Sequence, residues 1–492
     1  MFVLNKNRFF LPVILTTLII FIFGFYYWNM LPLGSIHRYD EYHTLDRSNG
    51  FMIKGDWLTV YSNNEPYFKK PPLQYWLTAL AITGSGDLEF ALRIWSYLFG
   101  LGLLIATGLL AYAIAPANPY AIPAAVLILA GSSMQWHTAI SAMLDAGAAF
   151  FFTVAVFAFV LAIRRPRWWY LVAVSTGLGA LQKAPVGFVA VCGMLVLFHV
   201  VRKYHDVDLR EILGNIHFRI SALLASLLIL WWPVLQTARY GIEVIYFAYI
   251  GEMLFRFSPV GGNAAIQVQW LQWIIQDGAV LWIPAILSLF MLPYFLRKPE
   301  SLLPLALFFC FAIMMTFASG RIYSRYLILI LPVMAAGFAA LLVRTIPGRV
   351  SAVVVACVLT LSAGNPFKNT DPLSLFESSQ NKYQAMLENF AKSLRVEETP
   401  VLCNWSKAKL KNIYPGAFSY FASDGRIFLE LDDAKKLPMK EVLQEFTPPY
   451  RGLCDISEFE ELKKWLVSYE VIERSNGYVY WTSTGTISPK KK

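Results

Sequence analysis

The chain has 492 residues, 57% of them hydrophobic and 15% charged, with a mean hydropathy of +0.50. A soluble chain carries about a quarter charged residues, so the composition excludes an ordinary cytosolic enzyme, a disordered protein and a small disulfide scaffold. The net charge is +10, but no basic stripe with interleaved aromatics points to nucleic acid. Lys and Arg stationed on the cytoplasmic side of a membrane account for the excess better.

The first apolar run covers residues 9–31 and follows Lys6 and Arg8. It is too long for the core of a signal peptide and no A-x-A site follows, so it reads as a retained span with a cytoplasmic N-terminus. Further apolar stretches lie at about 90–114, 119–138, 140–163, 168–182, 185–201, 218–236, 268–296, 301–318, 326–343 and 350–363. A span needs roughly 20 apolar residues, which gives about eleven spans and up to thirteen, since 71–83 and 268–296 allow other readings. The inner loops then carry Arg164, Arg165 and Arg167, then Arg202, Lys203, Arg210 and Arg219, then Arg297 and Lys298, then Arg344 and Arg349. Only the loop at 115–119 is uncharged. This arrangement obeys the positive-inside rule and puts 32–89, 237–267 and everything after about 364 outside.

After residue 364 the charged share rises from roughly a tenth to roughly a quarter, the level of soluble domains. The stretches at 442–446 (VLQEF) and 458–466 (EFEELKKWL) read as amphipathic helix, and 477–483 (GYVYWTS) as a strand. The expected architecture is a polytopic α-helical membrane domain over 1–364 and a small extracytoplasmic α/β domain over 365–492. Of five cysteines, Cys192, Cys310 and Cys357 sit in apolar runs. Cys403 and Cys454 lie where disulfides persist, and are either bridged or two buried thiols. No CxxC is present and the histidines show no metal-ligand spacing.

Acidic residues concentrate on the outer face, at Asp40, Glu41, Asp46, Asp56, Glu65, Asp87, Glu89, Glu243 and Glu252. Asp145 and Asp277 stand near outer ends of apolar stretches. An ionisable group in lipid costs about 2.5–3.5 kcal/mol or more, so it faces a cavity or a partner. The outer face is therefore the expected working face.

Three outer segments stand out. Asp40 and Glu41 open an amphipathic stretch (38–57) just past the first span. A carboxylate there can accept a proton from an incoming nucleophile, or can simply complement a helix N-terminus. Lys69 and Lys70 precede Pro71 and Pro72, which fix the backbone beside them. Amines so placed suit a phosphate, or snorkel to lipid headgroups. Arg256, between Phe255 and Phe257, can bind phosphate bidentately or anchor an interfacial helix. Lys183 and the group Arg321, Tyr323, Arg325 and Tyr326 stand at other outer ends, where anchoring is the commoner role.

The ordered series of Asp40–Glu41, Gly55-Asp56-Trp57, YFKKPPLQYWL (67–77), EFALRIWSYLFGL (89–101), MLDAGAAFFF (143–152), LGALQKAPVG (178–187), EMLFRF (252–257) and SRYLILILP (324–332) resembles the lipid A aminoarabinose transferases and protein O-mannosyltransferases. These are GT-C glycosyltransferases that use polyprenyl-phosphate sugars. The resemblance covers about 3–345. It implies that outer loops 32–89 and 237–267 form the active site, that Asp40, with Glu41 beside it, is the catalytic base or orients the acceptor, and that Lys70 and Arg256 hold the donor phosphate. It implies that Asp145 helps set the cavity, to which Glu252 and, more loosely, Tyr323, Arg325 and Tyr326 contribute.

Two positions depart from the aminoarabinose transferases. Where those proteins carry Glu and His, a pair expected to hold a divalent metal, this chain has Lys69 and Met253. Neither is a good ligand for a hard or borderline cation. The expectation is therefore no metal cofactor, with Lys69 adding positive charge at the phosphate. The implied reaction moves a sugar from a polyprenyl-phosphate donor to an envelope acceptor, lipid A or another glycolipid or glycan, outside a bacterial inner membrane. Transfer to protein is the alternative within this class, and a lipid-linked sugar transporter or flippase is the alternative outside it.

Overall fold

The computed structural model describes residues 6–32, 39–62, 65–183, 186–201, 208–246, 251, 270, 272, 316, 323–346, 351–362, 398–403, 429–431, 448–475 and 477–486. Two compact units divide the chain. One comprises Met1–Leu31, Tyr67–Leu77 and Arg93–Asp371, and the other Pro32–Pro66, Thr78–Leu92 and Pro372–Lys492.

Most of the helices before residue 250 follow the apolar runs, and two, Tyr39–Lys54 and Leu209–Gly214, form on polar stretches. They are α1 (Lys6–Trp28), α2 (Tyr39–Lys54), α3 (Leu73–Gly84), α4 (Leu88–Ile114), α5 (Ala121–Ala130), α6 (Ser133–Ala139), α7 (Leu144–Ala162), α8 (Trp169–Gln182), α9 (Val186–Val201), α10 (Leu209–Gly214), α11 (Ile216–Tyr240) and the single turn α12 (Glu243–Ile245). Two more, α13 (Leu331–Thr345) and α14 (Ser351–Ser362), follow a 3-10 turn at Ser324–Leu329. Among the described residues, the segments Arg8–Trp28, Leu88–Ile114, Leu144–Ala162 and Ile216–Tyr240 are long and apolar enough to cross a bilayer. The stretches 268–296 and 301–318 lie outside the described residues, apart from single positions.

Helix α11 shows how the membrane unit meets lipid. Leu223, Leu227, Leu230 and Val234 recur at helical spacing and are all more than half exposed. The intervening stripe Ala225, Ile229, Trp232 and Gln236 is buried. An exposed apolar stripe of this length marks contact with lipid. On its buried side α11 approaches α8 closely at Gly177, where a Cβ would stand 2.4 Å from Leu228 Cβ. Small residues permit such approaches between membrane helices.

One expected span is broken. Residues 119–138 do not form one helix, because α5 ends at Ala130 and Ser132 caps α6, its side chain accepting from Gln135 N at 3.3 Å. The hydroxyl offers the backbone a cap in place of a continuing helix. A second interruption separates α6 from α7 around residues 140–143, where Met143 is extended.

Polar side chains tie the helix ends. Arg93, almost wholly buried, donates to Leu31 O at 2.9 Å, and Tyr97 Oη to Gly24 O at 2.7 Å. Arg344 Nη2 donates to Ile114 O at 2.6 Å, a cation at the C-terminus of α4 where the helix dipole favours it. Asn118 Nδ2 reaches Val343 O at 3.4 Å.

In the second unit, α2 precedes a two-residue hairpin of β1 (Tyr61–Ser62) and β2 (Glu65–Pro66), paired Tyr61↔Pro66 and Ser62↔Glu65. Ser62 Oγ donates to the buried Asp46 carboxylate at 2.8 Å, and Phe51 stacks on Trp57 with centroids 5.6 Å apart. The C-terminal part of this unit contains β3 (Thr399–Cys403), β4 (Leu429–Leu431), β5 (Tyr450–Asp455), α15 (Ile456–Leu462), β6 (Leu466–Ser475) and β7 (Tyr478–Thr486). Its sheet order is β4-β3-β5-β7-β6. β3 runs parallel to β4 and β5, and β7 runs antiparallel to β5 and β6. The core holds Val401, Tyr450, Cys454, Phe459, Leu462, Leu466, Val479 and Trp481. The strand expected at 477–483 is β7, and the helix expected at 458–466 is α15 with the short 3-10 turn Lys463–Trp465. Residues 442–446 lie outside the described residues.

A candidate anion site in the membrane unit

Four segments of the membrane unit bring charged groups together. Pro71 and Pro72 are buried just ahead of α3, and Trp76 N donates to Pro72 O at 2.9 Å. Proline is pre-organised for a helix start and gives up no needed donor there. This fixes Lys69, exposed, and Lys70, half-buried, at the mouth of the helix. Two ring contacts hold the segment to α11, Phe68 with Tyr240 at 5.2 Å and Trp76 with Trp231 at 6.0 Å.

Asp145 lies in the first turn of α7, where a carboxylate complements the helix dipole. It is nearly closed off, with 7% of its side chain exposed. Lys183, the residue that ends α8, is paired with Asp145 Oδ1. Arg325, from the 3-10 turn before α13, sets its Nε 3.9 Å from Asp145 Oδ2. Lys70 also lies within electrostatic reach of Asp145. Tyrosine rings complete the group. Lys183 Nζ stands 4.9 Å from the Tyr326 centroid, Arg325 Cζ 4.7 Å from that of Tyr323, and the two rings meet edge-on at 5.8 Å. Cations over aromatic faces are attracted by the ring quadrupole.

A glutamine bridge locks this geometry. Gln182 and Gln74 are both fully buried. Gln182 Nε2 donates to Gln74 Oε1 at 2.7 Å and to Leu144 O at 3.3 Å. One side chain thus joins the segments that carry Lys70, Lys183 and Asp145. Gly147 makes room for it, since a Cβ there would stand 2.4 Å from Gln182 Nε2. Ser96 Oγ secures the same entry to α7 by donating to Met143 O at 3.0 Å.

Among the described residues, two cations pair with this one carboxylate and a third lies within electrostatic reach, which leaves an excess of positive charge. In an interior of reduced dielectric, such an excess holds an anion far more strongly than it would in water.

Of the residues expected from sequence, the structure gathers Lys70, Asp145, Tyr323, Arg325 and Tyr326 within the membrane unit. Lys183 is more than the anchor its position suggests, because it is ion-paired with Asp145. Gln74 and Gln182 were not anticipated. Their only sequence signal is an amide beside a lysine segment inside an apolar run. Asp40 and Glu41 occupy the first turn of α2 in the second unit. Glu41 is fully buried and Asp40 keeps part of its surface, so Asp40 is the more accessible carboxylate. Glu252, Met253 and Arg256 lie outside the described residues. Cys454 is disulfide-bonded and accepts from Trp481 Nε1 at 3.1 Å. Among the described residues no group of three or more His, Cys, Asp or Glu could hold a metal ion.

Residues 14–246 match the family model for dolichyl-phosphate-mannose-protein mannosyltransferase. The undecaprenyl phosphate-alpha-4-amino-4-deoxy-L-arabinose arabinosyl transferase 2 of Sodalis glossinidius is 28% identical over 179 residues, 34% of this chain and 31% of that protein. The corresponding transferase of Yersinia pestis (strain Pestoides F) is 26% identical over 267 residues, 52% of this chain and 46% of that protein. The chain spans less than two thirds of the length of the curated relatives it matches. The fold extends further. The crystal structure of ArnT from Cupriavidus metallidurans bound to undecaprenyl phosphate superposes with a TM-score of 0.66 at 16% identity, covering 96% of this chain and 97% of that one. The chain therefore shares the fold of that structure, and over residues 14–246 its sequence is similar to the protein mannosyltransferase family model and, over part of its length, to the aminoarabinose transferases.

Proposed function

We propose that the protein is an integral membrane glycosyltransferase that moves a sugar from a polyprenyl-phosphate donor to an acceptor of the cell envelope. The observation that carries this reading is the cluster of Lys70, Lys183 and Arg325 around Asp145, within a fold like that of a protein that binds undecaprenyl phosphate. Breaking the bond between the anomeric carbon and the phosphate oxygen leaves negative charge on the departing lipid phosphate. Cations fixed in advance stabilise that charge without reorganising. The anomeric carbon passes through an oxocarbenium-like state, as in glycoside hydrolysis. The acceptor oxygen forms the new bond from the opposite face, and polyprenyl phosphate leaves.

Lys70, Lys69 and Arg256 are assigned to the donor phosphate, and Asp40 to the acceptor. If the acceptor is a hydroxyl, Asp40 takes its proton. If it is already an anionic phosphate, as on lipid A, Asp40 orients it. Donor binding is metal-independent in this reading, because Lys69 and Met253 stand where the resemblance to the aminoarabinose transferases implies a metal-binding Glu and His.

The same reading places the protein in a bacterial inner membrane with the N-terminus inside and the C-terminal domain outside. The contacts support that orientation. Arg344 and Asn118 join helix ends that charge assigns to the inner side. Tyr170 Oη and His217 Nδ1, 3.0 Å apart, join two more. Asp145, Lys183 and Arg325 come from ends assigned outside.

The test uses the full chain in lipid nanodiscs. Wild type should bind bare undecaprenyl phosphate, and mass spectrometry should find one envelope lipid or glycan short of a sugar in cells lacking the gene. Asp40→Asn and Lys70→Ala proteins should insert and fold, yet transfer at least about 10²-fold more slowly. Full activity in both variants, or substrate flux across vesicles without any transfer, overturns the reading.

A further inference from the structure

The far end of α7 from Asp145 leads to a second concentration of charge. Asp145 stands in the first turn of that helix, and the chain leaves it past Ala162, 19 residues and so about 28 Å along. Just beyond, Arg165 precedes the 3-10 turn Pro166–Trp168 and Arg167 lies within it, both exposed. Two contacts bring the start of α11 beside this turn. Trp169 meets Phe218 edge-on with centroids 4.9 Å apart, and Tyr170 Oη lies 3.0 Å from His217 Nδ1. Asn215 both ends α10 and caps α11, its side chain accepting from His217 N at 2.9 Å.

Arg219 is held ready for a ligand. Its Nε donates to Leu213 O at 2.9 Å, one of the carbonyls that the end of α10 leaves without an intrahelical donor. That bond orients the planar guanidinium, and among the described residues nothing else pairs with it. Arg165, Arg167 and Arg210 are likewise in no ion pair among the described residues. Of the two carboxylates on or beside α10, Asp208 accepts from Arg210 N at 2.9 Å as the cap of that helix, and Glu211 is exposed in its first turn. Positive charge therefore stays in excess here.

An apolar track starts at the same arginine. Ile216, Ile220, Leu223 and Leu227 share a face of α11 with Arg219 by helical spacing, and they expose 61%, 46%, 62% and 60% of their surface. From Ile216 to Leu227 the helix rises about 17 Å, close to the depth of about 15 Å that one leaflet contributes to the hydrocarbon core. A soluble anion has no use for such a track. A zwitterionic lipid brings its own cation, which the neighbouring arginines repel.

We infer that this face of α11 binds an anionic phospholipid of the leaflet opposite the Asp145 cluster. Its phosphate takes the free fork of Arg219, with Arg167 and Arg210 adding charge from the adjoining turn and helix. Its acyl chains lie along Ile216, Ile220, Leu223 and Leu227. The lipid fastens α10 to α11, and its binding does not depend on the proposed transfer reaction.

The full chain in nanodiscs of equal phosphatidylglycerol and phosphatidylcholine, with matched acyl chains, tests this by native mass spectrometry. Phosphatidylglycerol should be retained at least about fivefold over phosphatidylcholine. Arg219→Gln should shrink that preference at least about threefold, and Arg219→Lys should recover only part of it, because an ammonium offers no planar fork. Arg8→Gln removes the same charge from the exposed start of α1 and should leave the preference unchanged. Phosphatidylglycerol with a diazirine in its acyl chain should label α11 between Ile216 and Leu227, and unlabelled phosphatidylglycerol, but not phosphatidylcholine, should suppress the labelling. Equal retention of the two lipids, full recovery by Arg219→Lys, or the same loss from Arg8→Gln as from Arg219→Gln overturns the site. If Arg219→Gln fails to fold, the labelling of wild type decides, and labelling that both lipids suppress equally overturns it.

Discussion

Asp145 and Lys183 lie 38 residues apart in the chain and meet as an ion pair at the ends of α7 and α8. Arg325 approaches the same carboxylate from a third element. Removing one member of a buried pair leaves an uncompensated charge, at a cost of about 3–5 kcal/mol, whereas replacing both members by apolar groups is often neutral. Asp145→Leu should therefore lower the unfolding temperature in detergent markedly, and Asp145→Leu with Lys183→Met should recover part of the loss. Equal melting of the single and double variants would show that the pair contributes no coupling.

Gln182 is wedged between Gln74 and Gly147. Gly147→Ala brings a methyl into contact with its amide and forces a shift, which in packed interiors costs about 1–3 kcal/mol. The expected kinetic effect is a fall in kcat/KM several times larger than the effect of Gly193→Ala, a glycine with open space around it. Gln182→Leu should act in the same direction by severing the bridge to Gln74. Transfer rates at saturating and limiting donor measure both.

Metal removal should have no effect. The family resemblance implies a Glu and a His as metal ligands at positions that this chain fills with Lys69 and Met253. Dialysis against a chelator should leave transfer within about twofold of the starting rate, since ligand types of this kind hold neither hard nor borderline cations well. Loss of transfer that zinc or magnesium restores would reverse this expectation.

In the sheet, Leu402 pairs with Leu453 in parallel register, so the next residues along, Cys403 and Cys454, come side by side. Cys454 is disulfide-bonded, and we expect Cys403 as its partner. Peptide mapping without reduction should recover the two as one linked peptide. Removing a native disulfide typically costs about 2–5 kcal/mol, so Cys403→Ser with Cys454→Ser should lower the melting temperature of the C-terminal sheet. Linkage of Cys454 to Cys310 instead would overturn the pairing.

Much of this fold is legible in the residues because the bilayer demands it. Continuous apolar length marked α1, α4, α7 and α11, and the rule that lipid tolerates few charges singled out Asp145. The break between α5 and α6 was hidden, because Gly131 and Ser132 are apolar or small enough to pass within a hydrophobic run, and only the cap geometry shows that the chain stops there. The glutamine bridge was hidden for another reason. Gln74 and Gln182 are 108 residues apart, and neither makes a pattern alone. Lys183 was visible but ambiguous, since an amine at a span end serves equally as an anchor or a partner until its neighbour is known.

Strand β7 is hydrogen-bonded on both sides, to β5 and to β6, and it carries Trp481, whose ring fills the space over Gly452. It also follows every other described strand in the chain. As the polypeptide emerges from the ribosome, the sheet thus waits for an interior member, the one that joins β6 to β5, until the other described strands have been made. A message cut short before Tyr478 would leave β5 with a bare edge and the core without its largest ring, so truncated products should be degraded even with every membrane helix already inserted.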